Sequence, residues 1–380
     1  MNLTLSDEQR ALQETAADFL AEQGNARKDV QDDAGLWAHI VELGWAAVQV
    51  PEELDGLGLG AVELGLLMEE MGRRLVRTPF FSTVVLAQTA LLQAGSAHAQ
   101  QRCLPALAFG AQAATLILGP GLDADPATLT VHARRDGEGW HLHGEAAQVL
   151  DDGQVDVAYV AARLEGESDA AIGLFEVQAS ATGVERTPLE VWDLTRPQAR
   201  WRFDGVRVDA EARVDDADKV CAGLARTRVL AALQLAAEQV GGAAQCLQLA
   251  VDYTKERVQF GRPVATFQAV KHRVAEMMVR METARSTVRG VMARVAAAAE
   301  SDAAALDDAA LFAEVSAARV LATEAYRYCA QEAIQLHGGV GFTWEYDPQL
   351  HFKRAQWASQ WLGASSAWRE TLAAQLLDVA

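Results

Sequence analysis

Arg257, Phe260, Gly261 and Pro263 fall within seven residues, and Gln268 follows shortly after. Arg257 lies one turn before a break in an otherwise helical stretch. Its planar guanidinium can grip a pyrophosphate through two parallel hydrogen bonds and stays charged at any working pH. Gly261 lets the backbone turn, and Pro263 stops a helix from running on through Gly261–Pro263. Phe260 is apolar and can pack on a ligand or on the next helix. A second group stands near the C-terminus, where Gln335-Leu336-His337-Gly338-Gly339 runs into Val340-Gly341-Phe342-Thr343. The paired glycines allow close approach to the backbone, and Gln335 one turn earlier offers a donor and an acceptor. His337 can contact a bound group or cap its helix. Alone, the first group reads as a helix–turn–helix with an exposed arginine, and the second as a helix break.

The elements that must position these residues form three stretches. Ser6 and Gln9 make a capping box, and Leu12, Ala16, Phe19 and Leu20 share one helical face behind it. A second helix covers about 34–43, Val50 to Gly60 is a loop broken by proline and glycine, and helices resume near Ala61 and Ser82. From 114 to 215 the residues alternate and favour strands at Thr115–Leu118, Thr128–Ala133, Trp140–His143, Val155–Ala161, Ala171–Glu176 and Ala199–Phe203. From about 220 the chain is helical and rich in alanine, with turns at 258–266, 299–307 and 338–341. The expected fold class is α+β and multidomain. A helical N-terminal domain spans 1–113, a middle antiparallel β-barrel or sandwich 114–216, and a C-terminal four-helix bundle 217–380. The bundle has three long helices and a broken fourth.

Composition narrows the function. The chain has 380 residues, half of them hydrophobic, and a net charge of -19. That excess of acid argues against nucleic acid or an anionic membrane as partner. The cysteines Cys103, Cys221, Cys246 and Cys329 form no CxxC pair and sit in apolar contexts, which predicts buried free thiols in a reducing cytoplasm. The first residues lack the basic and apolar regions of a secretory leader, and no run of about 20 apolar residues suggests a membrane span. His141 and His143 share one face of a strand, but two imidazoles without a third ligand do not specify a metal, and none is expected. Trp344, Tyr346, Phe352, Trp357 and Trp361 read as bundle core.

Taken together, the two groups, about 70 residues apart, resemble the acyl-CoA dehydrogenase family, and the domain order is that family's order. The resemblance extends to Gly44–Gly60 and to Met68-Glu69-Glu70-Met71-Gly72, and so covers essentially the whole chain. It implies an FAD flavoprotein that desaturates an acyl-CoA thioester between its α and β carbons, with an electron-transfer flavoprotein as acceptor. It further implies that Arg257, Phe260, Gln268, Gln335, Leu336, His337, Gly338 and Gly339 hold the ADP part of an FAD bound mostly by a neighbouring subunit, usually in a dimer of dimers.

The middle domain departs from the pattern. Where the family commonly has Thr-Glu-Pro-Gly-Ala-Gly-Ser-Asp, this chain has Leu118-Gly119-Pro120-Gly121-Leu122-Asp123-Ala124-Asp125. The family's Trp-Ile-Thr on the flavin is Gln148-Val149-Leu150, so a hydroxyl donor is lost at Leu150. The base departs too. Removing the α-proton of a thioester requires a carboxylate beside it with a raised pKa. The family's usual Glu, in Tyr-Glu-Gly-Thr, is replaced by Leu362 in Trp361-Leu362-Gly363-Ala364. The alternative Glu on the first bundle helix is replaced by Ala231, with Ala232 where an Arg is common. Glu238, seven residues on, is the nearest carboxylate on that helix. It faces within about 20° of the same side but ~10 Å further along the axis. Glu345 and Asp347 lie in a turn whose acidic residue is usually structural.

Three functions remain open on the sequence. The chain is an acyl-CoA dehydrogenase with a relocated base, in a homotetramer. Or it is a non-catalytic partner in a heterotetramer, contributing ADP-binding residues to a related chain. Or it is a flavoprotein of the same fold with other chemistry, or one that merely binds acyl-CoA.

Overall fold

The computed structural model describes residues 4–23, 34–119, 126–168, 170–301 and 306–377. Two compact units emerge, one from residues of 1–31, 61–76 and 232–380, the other from residues of 32–60 and 77–231.

The first unit is helical. The helices α1 (Asp7–Gln23) and α3 (Ala61–Arg74) join the second half of α6 (Val220–Glu256), together with α7 (Gln268–Ser301), α8 (Ala309–His337), α9 (Pro348–Ala358) and α10 (Ser365–Leu377). The capping box forms as expected, Gln9 N donating to Ser6 Oγ at 3.1 Å and Ser6 N to Gln9 Oε1 at 3.0 Å. The long helices α6, α7 and α8 and the broken fourth, α9 with α10, match the expected bundle. Its core is built on small side chains, among them Ala243, Ala250, Ala330, Ala333 and Ala355. Two neighbours meet α6 at adjacent glycines. A Cβ on Gly241 would lie 1.7 Å from Glu69 O of α3, and one on Gly242 would lie 2.4 Å from the Tyr326 ring of α8. Gly72 of α3 returns the contact, with its Cβ position 2.0 Å from Glu238 O. The helices therefore cross backbone against backbone, a spacing only glycine permits.

α6 also amends one expectation. Among the described residues it is the one helix long and apolar enough to cross a membrane by length and composition, yet 67% of its apolar stretch is buried inside the protein. A bundle's central helix is apolar on all sides for that reason.

The second unit holds α2 (Ala34–Glu42), a π-helical stretch Phe81–Gln88 running into α4 (Thr89–Ala94), α5 (Ala97–Ala108), and a seven-stranded sheet. The strands are β1 (Ala114–Ile117), β2 (Val131–Asp136), β3 (Gly139–Leu150), β4 (Val157–Leu164), β5 (Ile172–Gln178), β6 (Val184–Pro188) and β7 (Gln198–Val208). Their order is β1-β4-β2-β3-β7-β6, with β5 also on β4. The sheet is mixed rather than purely antiparallel as expected, since β4 runs parallel to both β1 and β2. It curls on itself: Phe175 of β5 meets Trp140 of β3 edge-on at 5.3 Å, although the two strands are not neighbours. The strand β6 escaped the sequence reading because it is an exposed edge strand without alternation, ending in Pro188.

Three of the cysteines are buried as expected, but Cys221 is exposed. Trp344 is likewise 61% exposed and not bundle core. His141 Nε2 lies 3.0 Å from Asp136 Oδ2, and His143 Nδ1 accepts from Gly205 N at 3.2 Å. Among the described residues no three His, Cys, Asp or Glu converge as a metal site.

Gly241→Ala is expected to destabilise the protein by about 2 kcal/mol through overpacking; an unchanged denaturant midpoint would contradict the close crossing of α3 and α6. His351 generates a pH dependence. It is buried, bonded to Tyr326 Oη through Nδ1 at 3.0 Å, and its pKa is pushed down to about 3 by burial and by Arg354, Arg73 and Arg74. The unfolded chain binds a proton there below about pH 6.5 and the folded chain does not. This contribution to stability is complete above that pH and is lost as the pH falls, at ~1.4 kcal/mol per pH unit. Urea unfolding between pH 7.5 and 4.5 measures it, and His351→Phe is expected to flatten the slope.

Candidate functional site

The first group of residues sits where α6 ends. The chain leaves the helix at Arg257 and forms a small hairpin, β8 (Val258–Gln259) against β9 (Arg262–Pro263). The two residues between the strands both have left-handed backbones, with φ of 54° at Phe260 and 75° at Gly261. That is the signature of a two-residue type I′ turn. The expected simple turn at Gly261–Pro263 is thus a hairpin centred on Phe260 and Gly261, closed by Val264 N donating to Arg257 O at 2.8 Å. A left-handed phenylalanine costs about 1–2 kcal/mol. Phe260 is also 92% exposed, so its own chain does not cover it. Its ring meets Phe267 edge-on at 6.1 Å, and Arg262 lies 4.2 Å over that second ring.

The second group sits where α8 ends. Gly338 stops the helix with φ 67°, and its N–H donates to Gln335 O and Ile334 O. A Cβ at Gly261, Gly338 or Gly339 would meet nothing within 4 Å. Gly338 is explained by its left-handed backbone. Gly339 has no such backbone, and nothing inside the chain requires a glycine there. Its open main chain fits close approach by an outside group.

The structure brings these two groups together. The Tyr253 ring, one turn before Arg257, stacks on the His337 ring at 4.3 Å. Arg257, Gln335, Gly338 and Gly339, all within about a turn of the stacked rings in sequence, are exposed, as is Gln268 at the start of α7, and Leu336 is half-buried against the bundle core. His337 is only 5% exposed. Sequence reasoning missed Tyr253; its place one helical turn from Arg257 was the available signal.

The carboxylates tell a different story. Ala231 is buried, and Leu362 is half-buried with φ 59°. Glu238 is buried in a 2.6 Å ion pair with Arg354 of α9, each side chain at most 2% exposed. Glu345 and Asp347 are exposed, and Asp347 caps the start of α9 with its main chain, accepting from Leu350 N at 2.9 Å. Arg354 could not be paired with Glu238 from the sequence, since more than a hundred residues separate them. In the other unit, Val149 and Leu150 are buried and offer no hydroxyl donor, and residues 120–125 lie outside the described residues.

Removing one partner of a buried ion pair strands the other. Glu238→Ala is therefore expected to cost about 3–5 kcal/mol of stability, read by chemical denaturation, with Glu238→Gln milder because it keeps an acceptor. An Ala variant with full stability would show that the pair is not structural.

Comparison with known proteins agrees with the geometry. The signature of the acyl-CoA dehydrogenase C-terminal domain matches residues 223–377, and that of the N-terminal domain matches 6–111. Acyl-CoA dehydrogenase IpdE2 of Mycolicibacterium smegmatis is 33% identical over 367 residues, covering 94% of this chain and 96% of its own. A chain of the ChsE4-ChsE5 complex of Mycobacterium tuberculosis superposes with a TM-score of 0.86 at 26% identity, over 100% of both chains. A chain of the Tcur3481-Tcur3483 steroid ACAD does so with 0.83 at 29% identity, over 99% of both. Full-length similarity, both domain signatures and the junction of α6 with α8 converge: this chain belongs to the acyl-CoA dehydrogenase family, FAD-dependent oxidoreductases acting on CH–CH bonds.

Proposed function

We propose that this chain is the subunit of a heteromeric acyl-CoA dehydrogenase that completes its partner's FAD site and carries no base of its own. The observation behind this reading is the fate of the carboxylates. Both usual base positions hold side chains that cannot take a proton, Leu362 and Ala231, and Glu238 is committed to Arg354. The residues suited to the ADP part of FAD remain, and Arg257, Phe260, Gln268, Gln335, Gly338 and Gly339 among them are exposed. A relocated base at Glu238 is disfavoured by the same ion pair, because freeing its carboxylate would break a buried charge pair.

FAD fits what the chain offers. Gly339 is a glycine without an internal reason, and Arg257, Gln268 and Gln335 are exposed. Arg257 would hold the diphosphate bidentately, the 338–339 main chain would let it approach, and Gln268 and Gln335 would donate to its oxygens. When bound, FAD accepts the β-hydrogen of the acyl thioester as hydride. This chain's part is to bind and orient FAD, while a carboxylate of the related chain takes the α-proton. The similarity to chains of the ChsE4-ChsE5 complex and of the Tcur3481-Tcur3483 steroid ACAD supports a pairing of two different chains, here a heterotetramer. An electron-transfer flavoprotein is the acceptor in this scheme.

The experiment is co-expression with related chains encoded nearby. The pair is expected to be yellow and to oxidise acyl-CoAs, a steroid thioester included, whereas the chain alone reduces no acceptor. Arg257→Ala is expected to weaken FAD binding to the partner's site about 10- to 100-fold, as loss of a charge-assisted pair would. A homotetramer of this chain alone, with full flavin occupancy and turnover of acyl-CoA, overturns the proposal.

A further inference from the structure

The ends of α6 and α8 each carry half of the FAD cradle, and three aromatic rings join them. Tyr253 stacks on His337 with centroids 4.3 Å apart and planes 19° from parallel. Tyr346, from the segment after the glycine pair, turns its edge to both, 5.8 Å from each ring and inclined by 86° and 67°. The His337 ring is locked in turn. Its Nδ1 lies 2.7 Å from Ala333 O, and a carbonyl only accepts, so Nδ1 carries the proton. Burial pushes its pKa below the usual value, so the ring is neutral at neutral pH. Beyond the stack, Arg257 N donates to Tyr253 O at 2.9 Å, and Gly338 directly follows His337. The separation between the root of the Arg257 side chain and the 338–339 bend is therefore set by how these two rings lie on each other.

We propose that Tyr253 and His337, braced by Tyr346, are positioning residues for FAD: their stack holds Arg257 and the Gly338-Gly339 bend in register for one diphosphate. This rests on the reading of Arg257 and the glycine pair as the ADP cradle. It gives His337 a role through the backbone it orients rather than through contact with the cofactor. A stack of flat rings resists sliding because its faces and edges carry opposite partial charge.

The test uses the FAD-loaded complex of this chain with its co-purified partner, carrying Tyr253→Leu, His337→Leu, both together, Tyr253→Phe, or Arg257→Ala for reference. FAD release is followed by flavin fluorescence after dilution, and the FAD-free complexes are melted in parallel. Tyr253→Leu and His337→Leu are each expected to speed release about fivefold, equivalent to ~1 kcal/mol. The double variant should be no faster than either single, since both remove one contact. Tyr253→Phe, which keeps the ring, should stay within about twofold of the parent. The FAD-free melting temperatures should fall by less than those of the FAD-loaded complexes. If Tyr253→Leu fails to assemble, Tyr346→Leu removes only the edge contacts and is expected to show a smaller rise, about twofold. If Arg257→Ala sheds FAD while the leucine variants keep it, the positioning role falls and the cradle stands. If Arg257→Ala also keeps its FAD, the cradle itself falls. Additive effects in the double variant, or an equal drop in FAD-free melting temperature, mean that the rings only stabilise the fold, and they overturn the proposal.

Discussion

A carboxylate and a guanidinium removed together from water organise the helical unit. Glu238 and Arg354 meet at 2.6 Å, with side chains 2% and 1% exposed. Burying either charge alone would cost several kcal/mol, and their pairing offsets that cost. The pair thus ties α9 to the middle of α6, and it has consequences on both sides. One turn before Arg354, His351 must remain neutral, because the same guanidinium and the loss of water both oppose its protonation. On the other side, the pair occupies Glu238, the first carboxylate along α6.

A second buried arginine shapes the loop that follows. Arg319 of α8 donates to Trp361 O at 2.9 Å and to Thr323 Oγ1 at 2.7 Å, and also to Ala358 O and Gln239 Oε1. Two of those carbonyls are at or just beyond the C-terminal end of α9, where a helix concentrates negative partial charge. The helix end thereby partly compensates a guanidinium whose pKa burial drags down to about 9. With Trp361 held, the next two residues turn through left-handed space, φ 59° at Leu362 and 104° at Gly363. Leucine has no preference for that region and gains nothing from it locally. The bonds from Arg319 hold the chain just before this turn.

Much of this was legible in one dimension. Helix and strand stretches follow from periodicity, so the α6–α7–α8 bundle and six of the seven strands lie close to where the residues place them. The edge strand Val184–Pro188 was hidden because an exposed strand need not alternate. The turn after Arg257 was expected as a helix–turn–helix, and became a hairpin because Phe260 accepts a left-handed backbone that residue type alone would argue against. Exposure of Cys221 and Trp344 was equally invisible, since residue type favours burial while exposure is decided by what packs across in space.

By itself the sequence determined which chemical groups exist: a guanidinium before a turn, a glycine pair after a glutamine, and Leu362 and Ala231 where a proton acceptor was sought. Those statements need only residue identity and local spacing. The tertiary structure alone decided what each group is free to do. Glu238 is silenced by Arg354 from a distant helix, and His337 is turned inward beneath Tyr253 while Gly339 stays open. The physical reason is that desolvation and pairing depend on what lies across a packed interface, which local spacing along the chain does not encode.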